Sequence, residues 1–151
     1  MSLVIRYWDS ATFLAWLKRE TGKFEKCRGV IRCAEKGEIR IVTSVVTITE
    51  VLYLKGHEKM NRERSREISQ FFENPYIEIQ NLDRFLAERA RELVWDFTAL
   101  RPKDAIHVAT AEMLGVDALD TFDEYLLKLD GKIGNPPLRI TIPDIPSPDM
   151  L

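Results

Sequence analysis

Short apolar segments alternate with longer amphipathic segments along most of the chain, and this alternation constrains the fold more than any other feature. Five short segments are predicted to be β-strands: residues 3–8, 38–43, 76–79, 116–119 and 138–142. Predicted helices of ten or more residues lie between most of them. Strands joined by such long crossovers pair in parallel. We therefore expect an α/β protein with a mainly parallel central sheet and helices on both faces.

The helices are predicted from apolar residues that recur three and four positions apart. They span residues 11–20, 22–36, 44–55, 62–72, 82–97, 102–114 and 124–129. Pro102 suits the first residue of its helix, and Gly115 suits the end of that helix. In the helix over 82–97, Phe85 is expected to face inward together with Leu86, Ala90, Leu93 and Val94.

Length and composition indicate one domain with a short tail. The chain has 151 residues, and a chain of this size buries roughly 68–70% of the surface that its unfolded form exposes. We assign residues 1–142 to a single domain and residues 143–151 to a proline-rich tail, because five of the seven prolines lie between Pro136 and Pro148. Cys27 and Cys33 make neither a disulfide framework nor a zinc site, so buried free thiols are predicted.

Charge and hydropathy exclude several classes of protein. The net charge is −2, from 22 basic and 24 acidic residues, which argues against a strongly basic nucleic-acid binder. The charge is nevertheless polarised, because residues 1–60 carry eleven Lys and Arg against seven Asp and Glu. A signal sequence and a membrane-spanning apolar segment are both absent from the sequence, so a cytoplasmic protein is expected.

Four acidic residues are expected at one edge of the predicted sheet: Asp9, Glu50, Asp104 and Asp123. Ligands of open α/β sheets bind at the carboxyl ends of the strands, which is where these residues should lie. Each also has an ordinary structural explanation. Asp9 and Asp123 can cap helices, and the helix dipole favours Asp104 in a first helical turn. Because all four are expected at the same edge, together they indicate a functional site more specifically than any one of them does.

Two placements of Glu50 are open. The segment from Thr47 to Glu50 fits the capping box that begins a helix. A helix that begins at Ser44 instead puts Glu50 in its middle, on a mostly apolar face. There the carboxylate would need a partner, and neither Lys nor Arg lies three or four positions away to supply one.

Clustered carboxylates without basic partners would repel one another, and bound divalent cations relieve that repulsion. An all-oxygen ligand set suits Mg²⁺ or Mn²⁺, whereas a zinc site would be expected to recruit His or Cys. One or two such ions can activate water for hydrolysis of a phosphodiester. The four acids therefore predict a metal-dependent site for phosphodiester hydrolysis.

Four segments give the chain a resemblance to the PIN-domain family, and within it to the VapC-like ribonuclease toxins. They are Asp9-Ser10 after the first strand, residues 44–51, residues 103–111 and residues 117–123. The resemblance covers roughly residues 3–129. It implies a three-layer α/β/α fold and a Mg²⁺- or Mn²⁺-dependent endoribonuclease that cleaves single-stranded or loop RNA. It further implies the toxin of a VapBC-type toxin–antitoxin pair, with a homodimer and a cognate antitoxin as expected assemblies.

The same resemblance implies roles for individual residues. The acids Asp9, Glu50, Asp104 and Asp123 would be both catalytic residues and metal ligands, with Ser10 and Thr121 orienting a carboxylate or water. His107 is interpreted as a packing or hydrogen-bonding residue rather than a base. Asp120 occupies a position where an apolar residue is more usual, so Asp120 or Asp123 could be the fourth ligand. We favour Asp123 because of its spacing after Thr121.

Cationic residues must flank an acidic pocket that binds RNA. Arg101 and Lys103, beside Asp104, are the preferred candidates, and the trio Arg28, Arg32 and Lys36 is the alternative. Two other functions remain open: a PIN-type ribonuclease of RNA processing and a non-catalytic interaction module with this fold. A phosphatase or phospho-receiver is disfavoured, because the first strand is not followed by Asp-x-Asp and the chain has no Gly-rich phosphate loop.

Overall fold

A computed structural model describes residues 3–51, 53–55 and 58–144 of the chain. The predicted tail therefore lies outside the described residues from residue 145 onwards. In chain order the elements are β1 (Val4–Trp8), α1 (Ser10–Leu17), α2 (Phe24–Glu35), β2 (Ile39–Ser44), α3 (Val46–Glu50), β3 (Tyr53–Lys55), β4 (Glu58–Lys59), α4 (Arg62–Phe71), β5 (Ile77–Gln80), α5 (Arg84–Asp96), α6 (Pro102–Leu114), β6 (Ala118–Asp120), α7 (Glu124–Lys128) and β7 (Ile140–Thr141).

The central sheet has five strands in the order β5-β2-β1-β6-β7. Every pairing within it is parallel, which confirms the predicted α/β class. β1 lies in the middle, with β2 on one side and β6 on the other. Its carboxyl end therefore meets the carboxyl ends of both neighbours, and Asp9 follows directly after it.

Alternation along β1 sends side chains into two separate cores. Tyr7 lies in a core with residues of α5, α6 and α7, whereas Trp8 lies in a core with residues of α1, α2 and α4. Helices therefore cover both faces of the sheet, as predicted. Cys27 and Cys33 are free and buried in the second core, which confirms that prediction.

The helix predicted over residues 44–55 is wrong beyond Glu50. Only Val46–Glu50 is helical. The strands β3 and β4 that follow form an antiparallel ribbon, which was not predicted. The segment 45–51 is rich in β-branched residues, whose restricted side chains lower helix propensity. Residue 52 of the predicted helix lies outside the described part of the chain.

α5 packs through a narrower face than predicted. Leu86, Ala90 and Leu93 are buried at helical spacing, but Phe85 is 60% exposed, so its inward placement is wrong. Successive residues of a helix point about 100° apart, and Phe85 lies on the side of Leu86 that turns away from the core. The ends of α6 match the prediction, with Pro102 at its start and Gly115 in the left-handed conformation at φ 60° after its last residue.

A buried ion pair joins β1 to β6. The Arg6 guanidinium donates to Asp120 Oδ1 through Nε at 3.0 Å and through Nη2, and Trp8 Nε1 donates to Asp120 Oδ2 at 2.8 Å. Arg6 and Asp120 are almost completely buried, whereas Asp144, which accepts from Arg6 at 3.3 Å, is exposed. Asp120 thus has a structural partner on the neighbouring strand. None of the helices among the described residues is long and apolar enough to cross a membrane.

Candidate active site

A pocket of about 500 Å³ lies at the carboxyl edge of the sheet. The structure brings all four predicted acids together there: Asp9, Glu50, Asp104 and Asp123 line this pocket. They come from the end of β1, the last residue of α3, the first turn of α6 and the residue that caps α7. Four separate parts of the chain therefore converge on one opening.

The Asp9 carboxylate is held by hydrogen bonds on both oxygens. Its Oδ1 accepts from the backbone N–H and the hydroxyl of Thr12, at 2.9 and 2.7 Å, and its Oδ2 accepts from the Thr121 hydroxyl at 2.7 Å. Asp9 thus caps α1, which was one interpretation of the sequence, and still lines the pocket. Thr121 ties β6 to the carboxylate at the end of β1.

Glu50 lies at the end of a hydrogen-bonded chain of side chains. Its Oε1 accepts from the Ser10 hydroxyl at 2.7 Å and lies 2.9 Å from His107 Nε2. The Tyr7 hydroxyl lies 2.7 Å from His107 Nδ1 and accepts from the backbone N–H of Ser44 at 3.1 Å. A carboxylate only accepts, so His107 carries a proton on Nε2, and in the neutral imidazole Tyr7 donates to Nδ1. Both imidazole nitrogens are then engaged, as a hydrogen-bonding rather than a basic residue requires.

The hydrogen-bonded side chains around Glu50 keep its carboxyl group ionised. Burial alone would raise the pKa of Glu50, but the hydrogen bonds from His107 and Ser10 outweigh it and the pKa is lowered. Burial raises the pKa of Tyr7 far above its ordinary value, so its hydroxyl stays protonated and can donate. These hydrogen bonds therefore hold one ionised carboxylate in a fixed orientation at the pocket.

Neither predicted placement of Glu50 is correct. It is the C-terminal residue of the short α3, so it neither opens a helix nor lies in the middle of a long one. The expectation that basic partners are lacking is also wrong, because Lys103 Nζ lies 3.6 Å from Glu50 Oε2 and His107 adjoins Oε1. Both partners come from α6, more than fifty residues away, so local spacing did not indicate them. His107 could have been linked to the site because it follows Asp104 by three positions on one helical face.

Asp104 is the least satisfied acid of the pocket. Burial raises the pKa of its carboxyl group, and the charges of Asp123 and Asp9 raise it further. Among the described residues, hydrogen-bond donors to the Asp104 carboxylate are absent. Asp123 accepts one hydrogen bond, at Oδ1 from the backbone N–H of Leu126 at 2.9 Å. Unsatisfied negative charge thus accumulates between these acids.

The donor chemistry of the pocket suits a hard divalent cation. The acids supply oxygens only, and a cation would favour the ionised form of Asp104, whose pKa is raised by burial and by the charges of Asp123 and Asp9. However, residues 3–51, 53–55 and 58–144 contain no group of three or more His, Cys, Asp or Glu side chains whose arrangement alone would hold a metal ion. The residues therefore fit Mg²⁺ or Mn²⁺ by chemistry and charge rather than as a rigid preformed cage.

The two candidates for the fourth acid lie in different surroundings. Asp120 is fully buried between Arg6 and Trp8, with both oxygens engaged. Asp123 lines the pocket and retains an oxygen without a hydrogen bond among the described residues. This placement favours Asp123 as a ligand, which stays a prediction.

Cationic residues flank the pocket on the α6 side. Arg101 and Lys103 both line it, and Lys103 is 66% exposed. Ala99 and Tyr125 also line it; neither was predicted as a site residue, although each lies two residues from one that was. The alternative trio lies along α2, outside this pocket: Arg28, Arg32 and Lys36.

Comparisons with known proteins place this geometry among known folds. A family model described as the PIN domain matches residues 6–132 of the chain. Among curated proteins, none has a matching sequence.

Three solved structures are similar in fold. VapC20 of Mycobacterium tuberculosis, described as a toxin that cleaves the sarcin-ricin loop, superposes with a TM-score of 0.62 at 15% identity, covering 79% of this chain and 90% of its own. A toxin–antitoxin complex from Klebsiella pneumoniae gives 0.55 at 19% identity, with 78% and 86% covered. VapBC2 of Rickettsia felis, bound to a DNA fragment from its promoter, gives 0.64 at 14% identity, with 91% and 97% covered. At these identities the likeness shows the fold alone.

Proposed function

The chain belongs to the PIN domain family, and on that premise we propose that it is an endoribonuclease that uses Mg²⁺ or Mn²⁺ to hydrolyse single-stranded or loop RNA. The observation that carries the proposal is the convergence of Asp9, Glu50, Asp104 and Asp123 on one pocket at the carboxyl edge of the sheet. A non-catalytic interaction module would not need four acids there, where their repulsion costs stability.

Asp9, Glu50, Asp104 and Asp123 are the residues that would hold the cation, and Asp104 and Asp123 accept the fewest hydrogen bonds among them. When bound, a divalent ion supplies Lewis-acid stabilisation of the phosphate and a water of lowered pKa. Thr12 and Thr121 hold the Asp9 carboxylate in one rotamer, so its position does not depend on a ligand. Ser10 and His107 orient Glu50 in the same way. These hydrogen bonds limit the reorganisation that catalysis would require.

The biological role that we propose is that of a toxin paired with an antitoxin. The similar structures include a toxin described as cleaving the sarcin-ricin loop, a toxin–antitoxin complex and VapBC2 bound to promoter DNA. These descriptions support RNA as the substrate, and an antitoxin and a second copy of the chain as partners. A ribonuclease of RNA processing is the alternative. A neighbouring small gene for a DNA-binding protein would favour the toxin, and its absence would favour RNA processing.

RNA cleavage by the purified protein tests the proposed activity. Structured RNAs with single-stranded loops should be cut in the presence of Mg²⁺ or Mn²⁺ and should stay intact with EDTA. Cleavage that persists in EDTA would contradict metal dependence, and intact RNA under every condition would contradict the nuclease. Mass analysis of the product ends would show which oxygen retains the phosphate.

Metal binding should stabilise the folded protein. A ligand that binds only the native state adds about 2.7 kcal/mol to the free energy of unfolding at a hundredfold excess over its Kd. Thermal melting in millimolar Mn²⁺ should therefore give a higher melting temperature than melting in EDTA. The rise should be much smaller for Asp104→Asn. Equal rises in both proteins would show that the ion binds elsewhere.

Arg101 and Lys103 should contribute to RNA binding through phosphates. Replacing both by Ala should weaken binding of all sequences alike and reduce the salt dependence of the affinity, by up to about 0.7 in log–log slope for each lost contact. Lys103 should contribute less than Arg101, because Glu50 already neutralises part of its charge. Fluorescence anisotropy over a salt series measures both quantities. An unchanged slope would place the strand on another side of the pocket.

A further inference from the structure

A second cluster of cationic and aromatic side chains surrounds the turn between α1 and α2. We call it the α1–α2 cluster, and its members are Trp16, Arg19, Lys23, Phe24, Arg28 and Phe122. Residues 18–28 carry five basic and two acidic side chains, although the chain as a whole is acidic. None of the cluster residues lines the acidic pocket, and the catalytic proposal does not use them.

Stacked rings and guanidinium groups form the centre of this cluster. The rings of Trp16 and Phe24 stack with centroids 4.8 Å apart and planes 5° apart. The guanidinium carbons of Arg28 and Arg19 lie 5.0 and 5.9 Å from the centroid of the Phe24 ring. Arg28 Nε is buried without a hydrogen-bond partner in the part of the chain that the structure describes. Aromatic rings rather than carboxylates therefore contact the two guanidinium groups, whereas Lys23 Nζ also lies 3.7 Å from Glu20 Oε2.

The backbone at Arg19 indicates that its side chain matters. Arg19 has φ 52°, and it is the one non-glycine residue with positive φ among the described residues. It directly follows the helix cap of α1, with hydrogen bonds from Arg19 N to Trp16 O at 3.2 Å and from Glu20 N to Ala15 O at 3.0 Å. Glycine is favoured at this position of such a turn. An arginine there costs conformational energy that the turn alone does not require.

The cluster is continuous with the acidic pocket. Lys23 Nζ lies 5.4 Å from the centroid of the Phe122 ring. Phe122 stands in the chain between Thr121, which donates to Asp9, and Asp123, which lines the pocket. A surface of rings and cations thus leads from Phe122 through Lys23 and Phe24 to Arg28. Arg32 and Lys36, both exposed, extend the positive charge along α2.

We propose that the α1–α2 cluster binds the single-stranded RNA that flanks the cleaved phosphodiester, an inference that rests on the proposed function of the acidic pocket. Aromatic rings and guanidinium planes stack on unpaired bases, and the lysine and arginine charges contact phosphates. This combination distinguishes RNA from an acidic protein segment, which would need the cations but not the rings. Duplex RNA is also disfavoured, because its bases are already stacked.

The test measures binding in EDTA, so its outcome does not depend on whether the protein cleaves RNA. The probe is a short fluorescein-labelled single-stranded RNA, followed by anisotropy over a salt series. Lys23→Gln with Arg28→Gln should reduce the slope of log K against log salt by up to about 1.4, or up to about 0.7 for each lost phosphate contact, with the smaller share from Lys23 because Glu20 neutralises part of its charge. Arg91→Gln with Lys132→Gln removes the same charge from exposed residues elsewhere and should change the slope far less.

Two further variants separate stacking from charge and from folding. Phe24→Leu should weaken binding at least about fivefold with an unchanged salt slope, because the ring that positions Trp16 and both guanidinium groups for stacking on bases is lost. Phe85→Leu, at an exposed aromatic on α5, is its control. Arg19→Gly should raise the melting temperature by about 2–4 °C, since it relieves the left-handed backbone. It should nevertheless weaken RNA binding, which a purely structural role would not do.

Each remaining outcome has a defined meaning. Unchanged affinity in the Lys23/Arg28 and Phe24 variants overturns the inference, as does an equal loss in the two control variants. A duplex RNA that binds as tightly as the single strand also overturns it. Loss of binding to a poly-glutamate peptide with RNA binding intact would assign the cluster to an acidic protein instead. If RNA binding falls as expected but wild type cleaves no RNA with Mg²⁺ or Mn²⁺, the proposed nuclease fails while the binding surface stands.

Discussion

Replacing Asp104 by Asn should reduce RNA cleavage at least about a hundredfold, since Lewis-acid stabilisation is worth several kcal/mol and each 1.4 kcal/mol is about tenfold in rate. Asp104 has the fewest hydrogen bonds of the four acids, and burial together with the charges of Asp123 and Asp9 opposes its ionised form. It is therefore the carboxylate whose charge depends most on a cation. Single-turnover cleavage at saturating RNA and Mg²⁺ measures the loss at the chemical step.

The same substitution should not destabilise the metal-free protein. Burial and neighbouring charges raise the pKa of Asp104 in the native state above its ordinary value of 3.8. At pH values between the ordinary pKa and the raised pKa, the native state therefore binds more protons than the unfolded state. Stability is then lost as the pH rises through the raised pKa. The amide removes this loss, and the melting temperature in EDTA at neutral pH should be equal or higher.

Glu124→Gln is a matched control for that experiment. Glu124 is exposed and directly follows Asp123, but it does not line the pocket. It should cleave RNA at the wild-type rate, whereas Asp123→Asn should resemble Asp104→Asn. Unchanged cleavage by Asp104→Asn would refute the metal-site proposal. Inactive Asp120→Asn with active Asp123→Asn would show that the fourth ligand had been misassigned.

The fold was predictable because it depends on patterns that are local in the sequence. Alternation of strands and long helices requires parallel crossovers, and Pro102 and Gly115 mark the ends of α6 through their own backbone preferences. The failures occur where local patterns compete. In α3, β-branched residues with helical spacing yield one short helix, and on α5 only packing against α6 decides that Leu86 rather than Phe85 is buried.

The acids of the site were predictable for a similar reason, and their partners were not. Asp9 follows directly after a strand, so its place at the edge of the sheet follows from the fold class. The contacts of Glu50 with His107 and Lys103 depend on how α3 and α6 pack, which sequence spacing does not encode. The pairing of Arg6 with Asp120 joins neighbouring strands whose order was not predicted.

That buried pair should have a large effect on stability. Replacing Arg6 by Met should lower the free energy of unfolding by about 3–5 kcal/mol at neutral pH, because Asp120 is left as a buried charge without its partner. Chemical denaturation followed by circular dichroism measures this loss. Arg6→Met with Asp120→Asn should recover a large part of it, since the charge is removed and an amide oxygen remains for Trp8 Nε1. Asp144→Asn, at an exposed partner, should cost less than about 1 kcal/mol.

The pH dependence of the Arg6→Met variant provides a second measure of the same pair. Burial raises the pKa of Asp120 from 3.8 to about 6, and the Arg6 guanidinium limits that rise. Without Arg6 the pKa of Asp120 should rise further, so its native state takes up a proton at a higher pH than its unfolded state does. Stability gained from that proton is present at low pH and lost as the pH rises through the raised pKa. The variant should therefore regain stability relative to wild type between neutral pH and pH of about 5. A deficit that is the same at both pH values would show that lost packing, rather than an unpaired Asp120 charge, destabilises the protein.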